Sequence, residues 1–113
     1  MNEKPIIRKL SEQDSEQSIG GIRRQLIHAE DDVGSSLYHI SVKDMQPHFH
    51  IRTTEIYYIL KGTGVLRLDQ EEFEIESGMA VAIPPGILHE LTGDVELLIL
   101  ATPPLQPDDK FIK

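Results

Sequence analysis

Turn-forming residues interrupt this chain at short, fairly regular intervals, and that punctuation constrains its fold more than any other feature. The breaks are Gly20-Gly21, Asp31-Asp32-Val33-Gly34, Gly62-Thr63-Gly64, Asp69-Gln70, Ser77-Gly78, Pro84-Pro85-Gly86 and Gly93-Asp94. Between them lie apolar runs of strand length at 22–27, 37–42, 56–60, 65–68, 73–75, 79–83 and 95–101. No window sustains the 3.6-residue period of a long helix. Seven to nine short strands in 113 residues predict an all-β closed barrel or jelly roll.

Alternation assigns faces to several runs. Arg67 and Asp69 share one face of their strand, with Leu66 and Leu68 on the other. In 72–76, Glu72, Glu74 and Glu76 point out while Phe73 and Ile75 point in. Gly62 and Gly64 suit the positive φ of a tight hairpin, and Pro84-Pro85-Gly86 a rigid corner. The runs 56–60 and 97–100 are apolar on both faces, which requires cover on both. A barrel interior covers one; the other, at Ile56, Tyr58 and Leu60, predicts a homodimer.

Length suits one domain over residues 1–113, with a core at about 37–101, an N-terminal strand or arm at 1–36 and a C-terminal arm at 102–113. The prolines at 103, 104 and 107 predict that this last segment lies extended on the surface. The stretch 11–17, with Glu12, Asp14 and Glu16, reads as a solvated loop or short helix. A net charge of −8 with scattered basic residues argues against nucleic acid as a partner. No signal-peptide core or membrane span is visible, so a cytoplasmic protein without membrane contact is the default expectation. Absence of cysteine removes disulfides, thiolate ligands and a thiol nucleophile.

The most informative stretch is 47–55. On a strand, His48 and His50 project from one face about 7 Å apart, and Glu55 can return over the same point after a short turn. A third histidine, His89, follows the Pro-Pro-Gly corner. Imidazole nitrogens with one carboxylate oxygen suit a divalent transition metal (iron, manganese, nickel, zinc or copper) and make a poor calcium cage. An isolated His-X-His is usually an ordinary pair of histidines, so the surrounding pattern has to decide.

That pattern resembles the cupins. Their first motif, G(X)5HXH(X)3-4E(X)6G, is matched by His48, His50, Glu55 and Gly62, with Val42 where the leading glycine would stand. Their second, G(X)5PXG(X)2H(X)3N, is matched by Gly78, Pro84, Gly86 and His89, with Gly93 in place of the asparagine. The resemblance implies a double-stranded β-helix, the cupin jelly-roll barrel, with one metal held by His48, His50, Glu55 and His89 near one end. Four protein ligands on an ion that favours six leave two positions for water, dioxygen or a chelating substrate.

Cupins include dioxygenases, isomerases, epimerases, decarboxylases and non-catalytic sugar binders, so fold does not settle the reaction. The inward positions 66, 68, 73, 75 and 91 are apolar, which disfavours phosphorylated substrates. The reading reached is a dioxygenase-like oxidoreductase acting on a small oxygen-chelating molecule, with Glu55 as catalytic base, Tyr57 lining the pocket and Arg52 as a substrate clamp. A small-molecule-binding module without catalysis, and an isomerase or epimerase, stand as alternatives. His28 and His39 are expected outside the metal shell.

Overall fold

The computed structural model describes residues 2–113. Their eight strands form one antiparallel sheet: β1 (Ser15–Ser18), β2 (Gly21–Ile27), β3 (Ser36–Phe49), β4 (Thr54–Leu68), β5 (Glu71–Glu76), β6 (Ala80–Ile83), β7 (His89–Thr102) and β8 (Phe111–Ile112). The path runs β1-β2-β3-β7-β4-β5, with β6 added to β4 and β8 to β3. Single turns of 3-10 helix at Leu10–Glu12, Ala29–Asp31 and Pro107–Asp109 complete the regular structure. The all-β expectation holds, and the architecture is the cupin jelly roll.

Three long strands organise the barrel. β7 lies between β3 and β4 and pairs with both along most of its length. Its odd-numbered residues Leu91, Val95, Leu97, Ile99 and Ala101 are all buried, so one unbroken face lines the interior. From the neighbouring strands come Ile40 and Val42, Tyr57, Ile59 and Leu66, Ile75, and Ile83, all in a single apolar cluster. Each fully buried Leu or Ile contributes about 1.5–3 kcal/mol.

Two breaks that read as turns are continuous strand. The sequence places a hairpin at Gly62-Thr63-Gly64 and a turn at Gly93-Asp94, yet both lie within long strands paired to each other, Thr63 opposite Asp94 and Gly64 opposite Gly93. The glycines serve close approach. A Cβ at Gly62 would run into the Asp94 carbonyl, and one at Gly93 would stand 2.8 Å from the Thr63 oxygen, with φ positive at both. A register shift between Ile59 and Lys61 moves the buried face of β4 from odd to even residues, from Glu55, Tyr57 and Ile59 to Leu66. The strand thereby bends, and the run expected as two strands serves as one.

Other expectations need correction. Phe73, expected inside, is 43% exposed, and only Ile75 carries the buried face of β5. The acidic stretch 11–17 supplies part of a 3-10 turn and then β1, which pairs with β2. The C-terminal segment is no plain surface arm. It turns at Pro107–Asp109, buries Asp109 and returns as β8 beside His48 and Phe49, where Phe111 stacks on Phe49.

Candidate metal centre

β3, β4 and β7 each deliver part of one cluster. His48 and His89 are register partners across the β3–β7 pair, so the sheet itself sets their rings side by side, centroids 4.1 Å apart. Two register shifts in β3, on either side of Met45, keep His48 facing inward. His50 follows just beyond the end of β3, and Glu55 enters on β4 after the short 51–53 connection. All four residues are buried, and one ligand atom from each lies within 4.8 Å of the others. The structure thus brings together the four residues singled out as ligands, positioned to bind one metal ion.

The hydrogen bonds decide how those atoms are presented. Each histidine commits Nδ1 to a backbone carbonyl: His48 to Gln46 at 2.9 Å, His89 to Ile87 at 2.9 Å and His50 to Asp109 at 2.6 Å. Donation from Nδ1 places the proton there and leaves the Nε2 lone pair facing the centre, the tautomer a metal requires. His50 Nε2 and His89 Nε2 stand 3.1 and 3.2 Å from Glu55 Oε1. Those three atoms are nevertheless buried without a hydrogen-bond partner. Orphaned polar atoms converging on one point in a protein interior are costly unless a ligand joins them. The donor set, three imidazoles and a carboxylate, fits a divalent transition metal.

Charge follows the same arrangement. Burial, and then the neighbouring His89, lower the His48 pKa to about 4, so its ring is neutral at neutral pH. At His50 burial also works downward, but the Glu55 carboxylate and the Asp109 carbonyl outweigh it and the pKa rises. Burial alone would raise Glu55; the close approach of the His50 and His89 rings overcomes it and holds the carboxyl below its usual range.

Tyr38 completes the centre and escaped the sequence reading. Its hydroxyl donates to Glu55 Oε2 at 3.2 Å, and burial, followed by the Glu55 charge, holds the phenol well above its usual pKa. Alternation gave only a broken signal, because counting back from His48 in twos reaches Tyr38 but two register shifts around Met45 interrupt the count. Asp109 was missed as well. Besides its carbonyl on His50, its carboxylate accepts from the amides of Ile51 at 2.7 Å and Arg52 at 3.0 Å, clamping the ligand loop.

Tyr57 is fully buried, lines the small chamber beside the cluster and donates to Met45 Sδ at 3.7 Å. Arg52 lies on the outside of the ligand loop, its half-exposed guanidinium on Asp108 at 2.7 Å. His39 pairs with Glu96 at 2.6 Å, and His28 caps a 3-10 turn; both stand outside the cluster.

The Cupin domain family model matches residues 37–103, more than half the chain. The chain belongs to the cupin family. A relative 34% identical over 103 aligned positions, covering 82% of each chain, is an uncharacterised protein from Methanocaldococcus jannaschii. Among solved structures, a protein from Planctomyces limnophilus superposes with a TM-score of 0.92 at 21% identity, covering 97% of this chain and 98% of that one. Streptomyces Pac13, a nucleoside dehydratase, gives 0.84 at 20% identity over 97% and 95%. Ectoine synthase from P. lautus gives 0.82 at 20% over 96% and 90%. At these identities the structural likeness establishes the cupin fold alone. Among the described residues no helix is long and apolar enough to cross a membrane.

Proposed function

We propose that this cupin is a metal-dependent enzyme for a small organic molecule that binds the ion through oxygen, and that its reaction is oxidation of the dioxygenase type. The observation that carries the metal is the convergence of three buried, unpartnered polar atoms, His50 Nε2, His89 Nε2 and Glu55 Oε1. His48, His50, Glu55 and His89 would hold the ion, which supplies Lewis acidity and, if it is iron or copper, access to dioxygen. Walls formed by Ile40, Met45 and Ile99 support the oxidative reading, because an apolar surround limits water beside the reacting atoms.

Within this reading Glu55 is the base. Its Oε2 accepts from the Tyr38 hydroxyl, and the charge of the carboxylate is favoured by His50 and His89. Tyr57 lines the small chamber beside the cluster, toward which the substrate's oxygens would point. Non-redox proton transfer is the second reading, favoured by the Tyr38–Glu55 hydrogen bond, since a carboxylate bonded to a phenol can move protons without an oxidant.

Elemental analysis of the purified protein and oxygen uptake with catechols, diketones and thiols separate the two readings. Iron or copper with substrate-dependent uptake supports oxidation, whereas zinc and no uptake refutes it. Glu55→Gln should abolish turnover while most of the metal stays bound, and undiminished turnover would remove Glu55 from the reaction.

The face of β4 turned away from the core exposes Ile56, Tyr58 and Leu60 at 39–44%, with Leu100 opposite Ile56 on β7. This patch supports a homodimer, and sedimentation of a monomer at micromolar concentration would refute it.

A further inference from the structure

Two cavities share a wall beside the cluster. The inner chamber, bounded by His48, His50, Glu55 and Tyr57, has a volume of about 10 Å³, room for a single water. The outer one is about 650 Å³ and opens between the β1–β2 hairpin and the C-terminal segment. Among the described residues only Tyr38, Leu105 and Lys110 line both, so these three side chains form the partition between them. Tyr38 is fixed by Glu55, and Leu105 is apolar. The remaining member, Lys110, follows directly on Asp109, whose carbonyl holds His50.

Lys110 is a cation without an ion-pair partner among the described residues. It is only partly exposed, yet among the described residues no carboxylate lies within ion-pair distance of it. Arg23, the other cation in the outer cavity, is already taken: it pairs with Glu16 at 2.6 Å and lies over the Tyr38 ring at 5.1 Å. Asp14 and Glu30 also line that cavity, but both are exposed. Burial and the nearby Arg23 push the Lys110 pKa down, and the more distant charges of Glu55 and Glu16, which act the other way, do not offset them. A partly buried ammonium with no ion-pair partner, set between the outer cavity and the His/Glu cluster, is left free to meet an anion from outside.

Resting on the metal-dependent reading above, we propose that Lys110 receives a carboxylate of the substrate. The molecule handled here is then a small organic acid, entering through the outer cavity with its anionic end on Lys110 and its other oxygens toward the His/Glu cluster. A carboxylate there would gain a charge-assisted hydrogen bond that its neutral amide cannot match. The apolar inward residues of the barrel therefore set the shape of the chamber, while charge selectivity comes from the C-terminal segment.

The test is calorimetric titration of metal-loaded and chelator-treated protein with malonate, succinate and glutarate, each against its monoamide. The best-fitting dicarboxylate should bind about tenfold or more tightly than its monoamide. Lys110→Met, which keeps the apolar stem, should erase that margin without altering metal content or thermal midpoint, and Lys110→Arg should preserve most of it. Equal binding of diacid and monoamide, no binding of either, or a Lys110→Met protein that keeps the margin overturns the proposal. Metal content is read separately: full metal retention with an indifferent Lys110 sinks this inference alone. Failure to retain metal sinks the metal-dependent reading, while the Lys110-dependent margin in chelator-treated protein still reports on the cation.

Discussion

The two sides of the metal centre are built by different means. His48 and His89 are neighbours in the β3–β7 ladder, and each is oriented by the carbonyl two residues before it, Gln46 or Ile87. Their geometry is a local consequence of sheet pairing. His50 and the loop leading to Glu55 have no such ladder; they are held by Asp109, 59 residues beyond His50, through one carbonyl and one carboxylate. Half the site is thus fixed by the barrel and half by the chain end that folds back over it. The difference locates the vulnerability of the centre at a residue that is not a ligand.

Asp109→Ala gives the largest effect expected from that asymmetry. The Ile51 and Arg52 amides would lose their acceptor, which costs about 2 kcal/mol, and the loop would no longer hold His50 against the 109 carbonyl. Loss of an outer support of this kind lowers metal affinity by about 10- to 100-fold. Replacing Gln46 or Ile87 by alanine, where only a main-chain carbonyl is used, should leave affinity close to that of the parent. Competition titration against a chromophoric chelator measures all three, and an Asp109→Ala protein with parental affinity would show that the barrel half suffices.

The same asymmetry explains how much was legible in the sequence. His48, His50, Glu55 and His89 could be read because their spacing matches the two cupin motifs, a local property of the chain, and the Pro84-Pro85-Gly86 corner lies three residues before His89. The Asp109 clamp could not, since nothing in a proline-rich tail signals which distant loop its carboxylate will meet. Strand boundaries failed for a related reason. Glycines at 62, 64 and 93 resemble turn formers, but here they let β4 and β7 cross closely at a bend, a requirement that exists only once the two strands are paired. Phe73 obeyed alternation in sequence, yet its strand lies at the end of the sheet path, where only Ile75 reaches the core.

Protonation offers a way to set the halves against each other in chelator-treated protein. An unfolded histidine titrates near 6.5, whereas folded His48 does so at about 4. Between those values the unfolded chain takes up a proton that folded His48 refuses, so acidification from 6.5 towards 4 destabilises the protein through this residue. His50 has the opposite sign. Its folded pKa is raised, so its contribution is fully present below 6.5 and is lost as the pH climbs through the raised value. Glu55, lowered, contributes above its ordinary carboxylate range and loses that contribution as the pH falls. His48→Gln should therefore flatten the decline in thermal midpoint between pH 6.5 and 4, and His50→Gln the decline above 6.5. Equal pH profiles for the two variants would mean the halves are not electrostatically distinct.

The smallest effect is expected at Arg52, and it sharpens the comparison because Arg52 sits in the same loop as the clamp. Its backbone amide is held by buried Asp109, while its side chain reaches Asp108 in solvent, with the guanidinium 51% and the carboxylate 78% exposed. An ion pair that open contributes less than about 1 kcal/mol, and salt screens it further. Arg52→Ala should accordingly shift stability only slightly and leave metal affinity unchanged, although it alters a residue whose own amide is held by Asp109. Were Arg52→Ala to weaken metal binding as strongly as Asp109→Ala, the loop would be held through its surface charges, and the buried carboxylate would lose its special standing.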